Sequence, residues 1–158
     1  MAFKRLTPTA QCPNPIRIAK STTTQSIGQW ALVYAKITTG SPKCLLVTSK
    51  TNATVTNFLG VAENRSKSGS AEPISVMLSE SVEYEVDLIT ATTLGPGSPL
   101  SLSQTTTKAP SQYLQKGTGG IAKATTTDAK RFGYATRAIT SASVVRMRFF
   151  PPSGLYTR

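Results

Sequence analysis

The chain is 158 residues long, with no His and only seven carboxylates, none of them before Glu63. Most of the side chains that move protons or hold metals are therefore missing, which argues against catalysis and metal binding and for a binding or structural role. A formal charge of +11 accompanies an apolar content of 39%, below the usual roughly 45 to 50%, so the Thr, Ser, Gly and Pro that fill the remainder favour strands and turns over helices.

Residues 1–26 hold Pro8, Pro13, Pro15 and a Ser-Thr run at 21–24, with no apolar face at either the helical or the strand period. This predicts an extended N-terminal arm without a core of its own, followed by a single β-domain over 27–158. An extended backbone pre-stiffened by proline orders at low entropic cost when it lies along a partner. Lys4, Arg5, Pro8, Pro13, Pro15, Arg17 and Lys20 are accordingly the candidate partner-binding residues of the arm.

The β-branched and aromatic run Trp30 to Ile37, the Gly40-Ser41-Pro42 turn and Lys43 to Thr48 predict a hairpin. Thr54 to Ala62 and Ile74 to Leu78 read as a third and a fourth strand. Alternation is clearest over Ser81 to Leu88, where Val82, Tyr84, Val86 and Leu88 face a core and Glu83, Glu85 and Asp87 face outward. After the turn-forming Leu94 to Pro99, shorter strands are expected at Leu100 to Ser103 and Tyr113 to Gln115, flanking a Thr105 to Pro110 loop. Gly117-Thr118-Gly119-Gly120 is spaced wrongly with respect to Lys123 for a phosphate loop and reads as a hairpin turn. Ser143 to Phe150 alternates again, with Val145, Met147 and Phe149 inward and Arg146 and Arg148 outward, and is expected to close the sheet before Pro151-Pro152 ends it.

Two segments echo one another: Phe58-Leu59-Gly60-Val61-Ala62 before Ile74 to Leu78, and Phe132-Gly133-Tyr134-Ala135 before Val144 to Arg148. Glycine lets a strand bulge and the small Ala lets another backbone approach, as at a tight barrel corner.

Charge is distributed unevenly. Seven cations precede Glu63 without an acid, whereas every carboxylate except Asp128 falls between Glu63 and Asp87. Such polarity suits contact between copies, or docking on an acidic protein surface, as well as it suits DNA. Glu83, Glu85 and Asp87 on alternate positions repel one another, and Arg146 and Arg148 at the same period are their cross-strand or inter-subunit complement. As metal ligands the three carboxylates are splayed about 7 Å apart by a strand, too far for one ion. Cys12 and Cys44 are too sparse for a zinc site or a disulfide framework and are expected as free thiols. No apolar stretch approaches the roughly 20 residues of a membrane span, and the start lacks a signal-peptide core, so cytosolic synthesis is expected. Trp30, Tyr34, Phe58, Tyr84 and Phe132 lie in apolar runs and read as core.

A strand ending Gly60-Val61-Ala62, the strand Ile74 to Leu78, the acidic strand Val82 to Leu88, Gly97-Ser98-Pro99-Leu100 and Gly133-Tyr134-Ala135 leading to Val144 to Phe149 together resemble the decoration (cement) proteins of tailed-phage capsids. The resemblance implies an all-β fold, a small β-barrel or β-tulip. It also implies a non-enzymatic virion protein without a cofactor, made in the host cytoplasm, that adds to the outside of the shell by contact with the major capsid protein, often as trimers, and stabilises it. The alternative carried by the charge is a small nucleic-acid-binding barrel of the oligonucleotide-binding type, which requires aromatic residues exposed among basic ones. Phe3, Tyr113 and Tyr156 are the only candidates outside evident strands, so nucleic acid is the less expected partner.

Overall fold

The computed structural model describes residues 4–6, 14–38, 41–46, 58–77, 82–103, 112–115, 117, 119–128 and 131–150. Pro8, Cys12, Pro13, the Thr105 to Pro110 loop and Pro151-Pro152 lie outside them. The fold is all-β. Its strands are β1 (Lys4–Arg5), β2 (Ile16–Ile18), β3 (Leu32–Thr38), β4 (Ser41–Leu46), β5 (Phe58–Ala62), β6 (Ile74–Met77), β7 (Tyr84–Leu94), β8 (Pro99–Leu102), β9 (Ile121–Lys123), β10 (Arg131–Ala135) and β11 (Ile139–Phe149).

Strands β7, β11, β10, β8 and β9 follow one another as hydrogen-bonded neighbours, and β9 returns to β7 through the parallel pair Leu88↔Ile121, closing a five-stranded barrel. Closure removes sheet edges that would otherwise offer unpaired backbone. It falls to β9 rather than to the last strand: β11 lies inside the ring, paired with both β7 and β10. Where β9 stops, β1 takes over the same edge of β7, with Lys4 opposite Glu85 and Arg5 opposite Tyr84.

The second sheet runs β2, β6, β5, β3, β4. The expected hairpin is β3 and β4, in register from Val33↔Leu46 to Thr38↔Ser41, and Pro42 falls on the edge strand β4, where a missing N–H is tolerated. Both faces of this sheet are buried. Toward the barrel, Leu32, Tyr34, Phe58, Val61 and Met77 join Tyr84, Val86, Phe132, Met147 and Phe149 in one shared core. Away from it, Val33, Leu59, Ala62, Ile74 and Val76 form a second cluster with Ile18, Ile27 and Ala31. All five residues of β5 are therefore buried, the continuous apolar pattern of a strand covered on two sides.

The echo between the two glycine segments is structural. In each case the glycine strand pairs antiparallel with the strand that follows it, β5 with β6 and β10 with β11. A Cβ at Gly60 would lie 2.1 Å from the Met77 carbonyl oxygen, and one at Gly133 would lie 2.6 Å from that of Arg148. Both distances are inside contact range, so each glycine is required by a neighbouring backbone. The phenylalanines that open the two segments, Phe58 and Phe132, then meet at the junction of barrel and sheet, with ring centroids 5.5 Å apart.

Of the N-terminal arm, two described stretches are extended and laid on the chain's own sheets, β1 on β7, and β2 on β6 through Ile16↔Val76 to Ile18↔Ile74, whereas residues 20–26 form a loop with a turn in which the Gln25 N–H donates to the Thr22 carbonyl at 3.4 Å. Ile18 reaches the second core. Two local expectations differ from the structure. Tyr113 and Leu114 are buried in a turn rather than a strand, with the Gln115 N–H donating to the Gln112 carbonyl at 3.3 Å. The glycines that follow consequently join that turn to β9 and form no hairpin.

Candidate binding surface

Strand periodicity sets the outer face of the barrel. Along β11, Val145, Met147 and Phe149 are buried, which turns Arg146, Arg148 and, just past the strand, Phe150 outward and half-buried. On β10, Phe132 and Ala135 point in while Arg131 and Tyr134 remain half-buried. The strand registry sets Tyr134 opposite Arg148. The rings of Tyr134 and Phe150 lie 5.6 Å apart, and the Arg131 guanidinium sits 5.9 Å above the Phe150 ring. Cations and aromatic rings thus alternate along this face, each ring favouring the cation on its π surface.

The acidic strand borders the same face. Glu85 lies directly opposite Arg146 on β11, one of the two arginines expected across from the acidic strand, and its backbone partner on β1 is Lys4. Glu83 accepts a hydrogen bond from the Thr136 hydroxyl at 2.5 Å. Asp87 departs from the expected alternation: it is buried, and its carboxylate accepts the N–H of Gly117. A strand pattern places it outward, but the glycine segment folds over that outward side.

Arm residues fall into different environments. Arg5 reaches the Glu63 carboxylate at 3.4 Å and ties the barrel edge to the loop after β5. Burial pushes the Glu63 carboxyl above the ordinary carboxylate value, and Arg5 offsets part of that rise. Lys20 is buried, its ammonium donating to the carbonyls of Gln25 at 2.9 Å, Lys67 at 2.8 Å and Thr23 at 3.5 Å. It fastens the 20–27 loop to the 63–70 loop, which also share the Ile27↔Ser66 bridge. Pro15 and Arg17 are exposed.

A hollow of about 450 Å³ opens beside the arginine and aromatic face, lined by Glu83, Tyr134, Thr136, Arg137, Arg148 and the Pro96-Gly97 turn. Its walls are fixed by backbone: the Gly97 N–H donates to the Ala135 carbonyl at 2.8 Å, the Ala135 N–H to Ser98 at 2.9 Å, and the Thr136 N–H to Arg146 at 2.9 Å. Arg137 is exposed. The Nε of Arg148 is buried without a hydrogen-bond partner among the described residues. Neither Tyr134 nor Phe150 was among the aromatics expected outside the core. The period-2 reading that turns Val145, Met147 and Phe149 inward is the signal that places Phe150 with the arginines.

No family model and no curated protein matches the chain. Among solved structures, it is similar to the head fiber gp8.5 N base of bacteriophage phi29, at 12% identity and a TM-score of 0.43, over 85% of this chain and 93% of that one.

Proposed function

We propose that this chain is a structural protein of a phage particle that adds to the outer surface of the capsid and stabilises the shell. The observation that carries the reading is that the segments on which the resemblance to capsid decoration proteins rests build the frame of the fold. Gly60-Val61-Ala62 and Gly133-Tyr134-Ala135 lie on the two glycine-pinched strands β5 and β10, and Val144 to Phe149 lie on the strand shared by two barrel neighbours. Further support comes from the chemistry. Without His, and with Glu83, Asp87 and Glu63 each engaged by a neighbour, the described face offers arginines and aromatic rings, the residue types enriched at protein–protein interfaces. In this reading the partner is the major capsid protein, the copies assemble as trimers on the capsid exterior, and the exposed Arg17 with the remainder of the arm contributes to the contact.

One observation favours a second reading, a single-strand nucleic-acid binder: Tyr134 and Phe150 lie half-exposed among Arg131 and Arg148. Those rings are packed on one another and capped by Arg131, so part of the surface on which a base would stack is already covered. A density map of assembled particles tests the proposal. It predicts ordered density for this chain outside the shell, and particles lacking the chain that lose their contents at a lower temperature; undecorated shells of unchanged heat resistance overturn it.

A further inference from the structure

We infer that the hollow beside Arg148 is a socket for a carboxylate, supplied by an acidic side chain of a protein partner. The inference goes beyond the shell reading and does not depend on it, because the socket can be probed without any particle.

A buried guanidinium N–H without an acceptor is costly, more so because the group is charged. The Nε of Arg148 is in that position, in a side chain that lines the hollow. The one acid of the lining, Glu83, already takes the Thr136 hydroxyl. Arg137 adds a second guanidinium at the exposed rim. Two arginines against one engaged carboxylate leave the hollow one positive charge in excess, and a planar carboxylate is the anion that an arginine fork receives with two parallel hydrogen bonds. Tyr134, opposite Arg148, offers its ring to the methylene stem of the incoming side chain.

Charge also selects the occupant. A second copy carries only seven carboxylates against eighteen cations, and its Glu63, Glu83 and Asp87 are already engaged within their own chain, so the acid is assigned to a different, acidic protein. A nucleic acid strand needs open aromatic faces in succession, whereas here the two rings and Arg131 are stacked against one another.

The experiment is isothermal titration calorimetry on the full chain with three probes: a short glutamate-rich peptide, its glutamine counterpart and an oligothymidylate. The glutamate peptide binds and the glutamine peptide does not. Arg148→Gln weakens the glutamate peptide by about tenfold, the order expected for losing a charge-assisted pair, while Arg65→Gln, at an exposed position of the 63–70 loop outside the lining of the hollow, changes it by less than about twofold. Should Arg148→Gln fail to fold, Arg137→Gln is expected to give a smaller loss, about threefold, still larger than that of Arg65→Gln. Three results overturn the inference: no binding of the glutamate peptide to the unmodified protein, equal losses in the Arg148 or Arg137 variant and the Arg65 variant, or tighter binding of oligothymidylate than of the peptide.

Discussion

Phe58 of the five-stranded sheet and Phe132 of the barrel meet edge to face, with ring centroids 5.5 Å apart and planes inclined at 62°. Phe149 contacts both rings, and Tyr34 and Tyr84 extend the cluster, so the two sheets share one aromatic joint. Burial there pushes the Tyr34 phenol far above its ordinary range, with the neighbouring Tyr113 adding to the rise. Phe58→Ala or Phe132→Ala should each cost about 3 to 5 kcal/mol. In a double-mutant cycle with leucine at both positions, the coupling should be about 0.5 to 1.5 kcal/mol. Urea unfolding measures both. Additive effects would mean that the sheets are not joined here.

Gly60→Ala and Gly133→Ala place a methyl against a backbone carbonyl. Each should destabilise by about 1 to 3 kcal/mol or more, since the strands must part to admit it. Gly95→Ala, which meets no atom within 4 Å, should change stability by less than about 0.5 kcal/mol. Thermal melts that rank the three alike would refute the close-approach account of the echoed segments.

Lys20→Met keeps the aliphatic stem and removes the ammonium that three carbonyls share. Leaving these acceptors unpaired should cost about 1.5 to 3 kcal/mol. Removal of the entire arm should cost more, because Ile18 and the pairings of β1 and β2 go with it. A chemical-denaturation midpoint unchanged by either alteration would show that the arm contributes nothing to the folded body.

Glu63 makes stability depend on pH in a definite direction. Its folded-state value is raised, so between the unfolded carboxylate value, about 4.3, and that raised value the folded chain holds more proton than the unfolded one. The contribution of this residue is therefore greatest at low pH and declines as pH rises through the window. Relative to Glu63→Gln, the unmodified protein should lose stability over that range, read from urea midpoints at successive pH values. A relative gain would show that the Arg5 pair outweighs burial.

The alternating strands were legible because a half-buried strand writes its two faces at period 2. Val82, Tyr84, Val86 and Leu88, and later Val145, Met147 and Phe149, are all buried as that pattern requires. Val86→Asp or Met147→Asp should accordingly abolish folding, and Glu85→Gln or Arg146→Gln should not, as circular dichroism can show. What escaped the sequence is set by long-range partners. The closing strand β9 is three residues long and pairs with β7 at Leu88 alone, too short to carry a period. Asp87 is covered by a glycine segment thirty positions later in the chain. The arm has no periodicity because an edge strand with few core contacts needs none, so nothing local says whether it pairs with its own sheets or with a neighbour's. Of the candidate surface, Arg146 and Arg148 could be read from alternation, while the hollow depends on the turn at Pro96-Gly97 docking beside β10 and so exists only in three dimensions.

Attachment to a capsid is decided by a salt titration of two binding reactions run side by side: co-sedimentation with intact DNA-filled capsids, and retardation of free single-stranded DNA. Protein docking through buried contacts should persist from about 50 to 200 mM salt, with no tight DNA complex at the upper end. Binding to DNA that is sub-micromolar and falls by orders of magnitude over about that interval, as counterion release demands, together with no co-sedimentation with capsids, would contradict it.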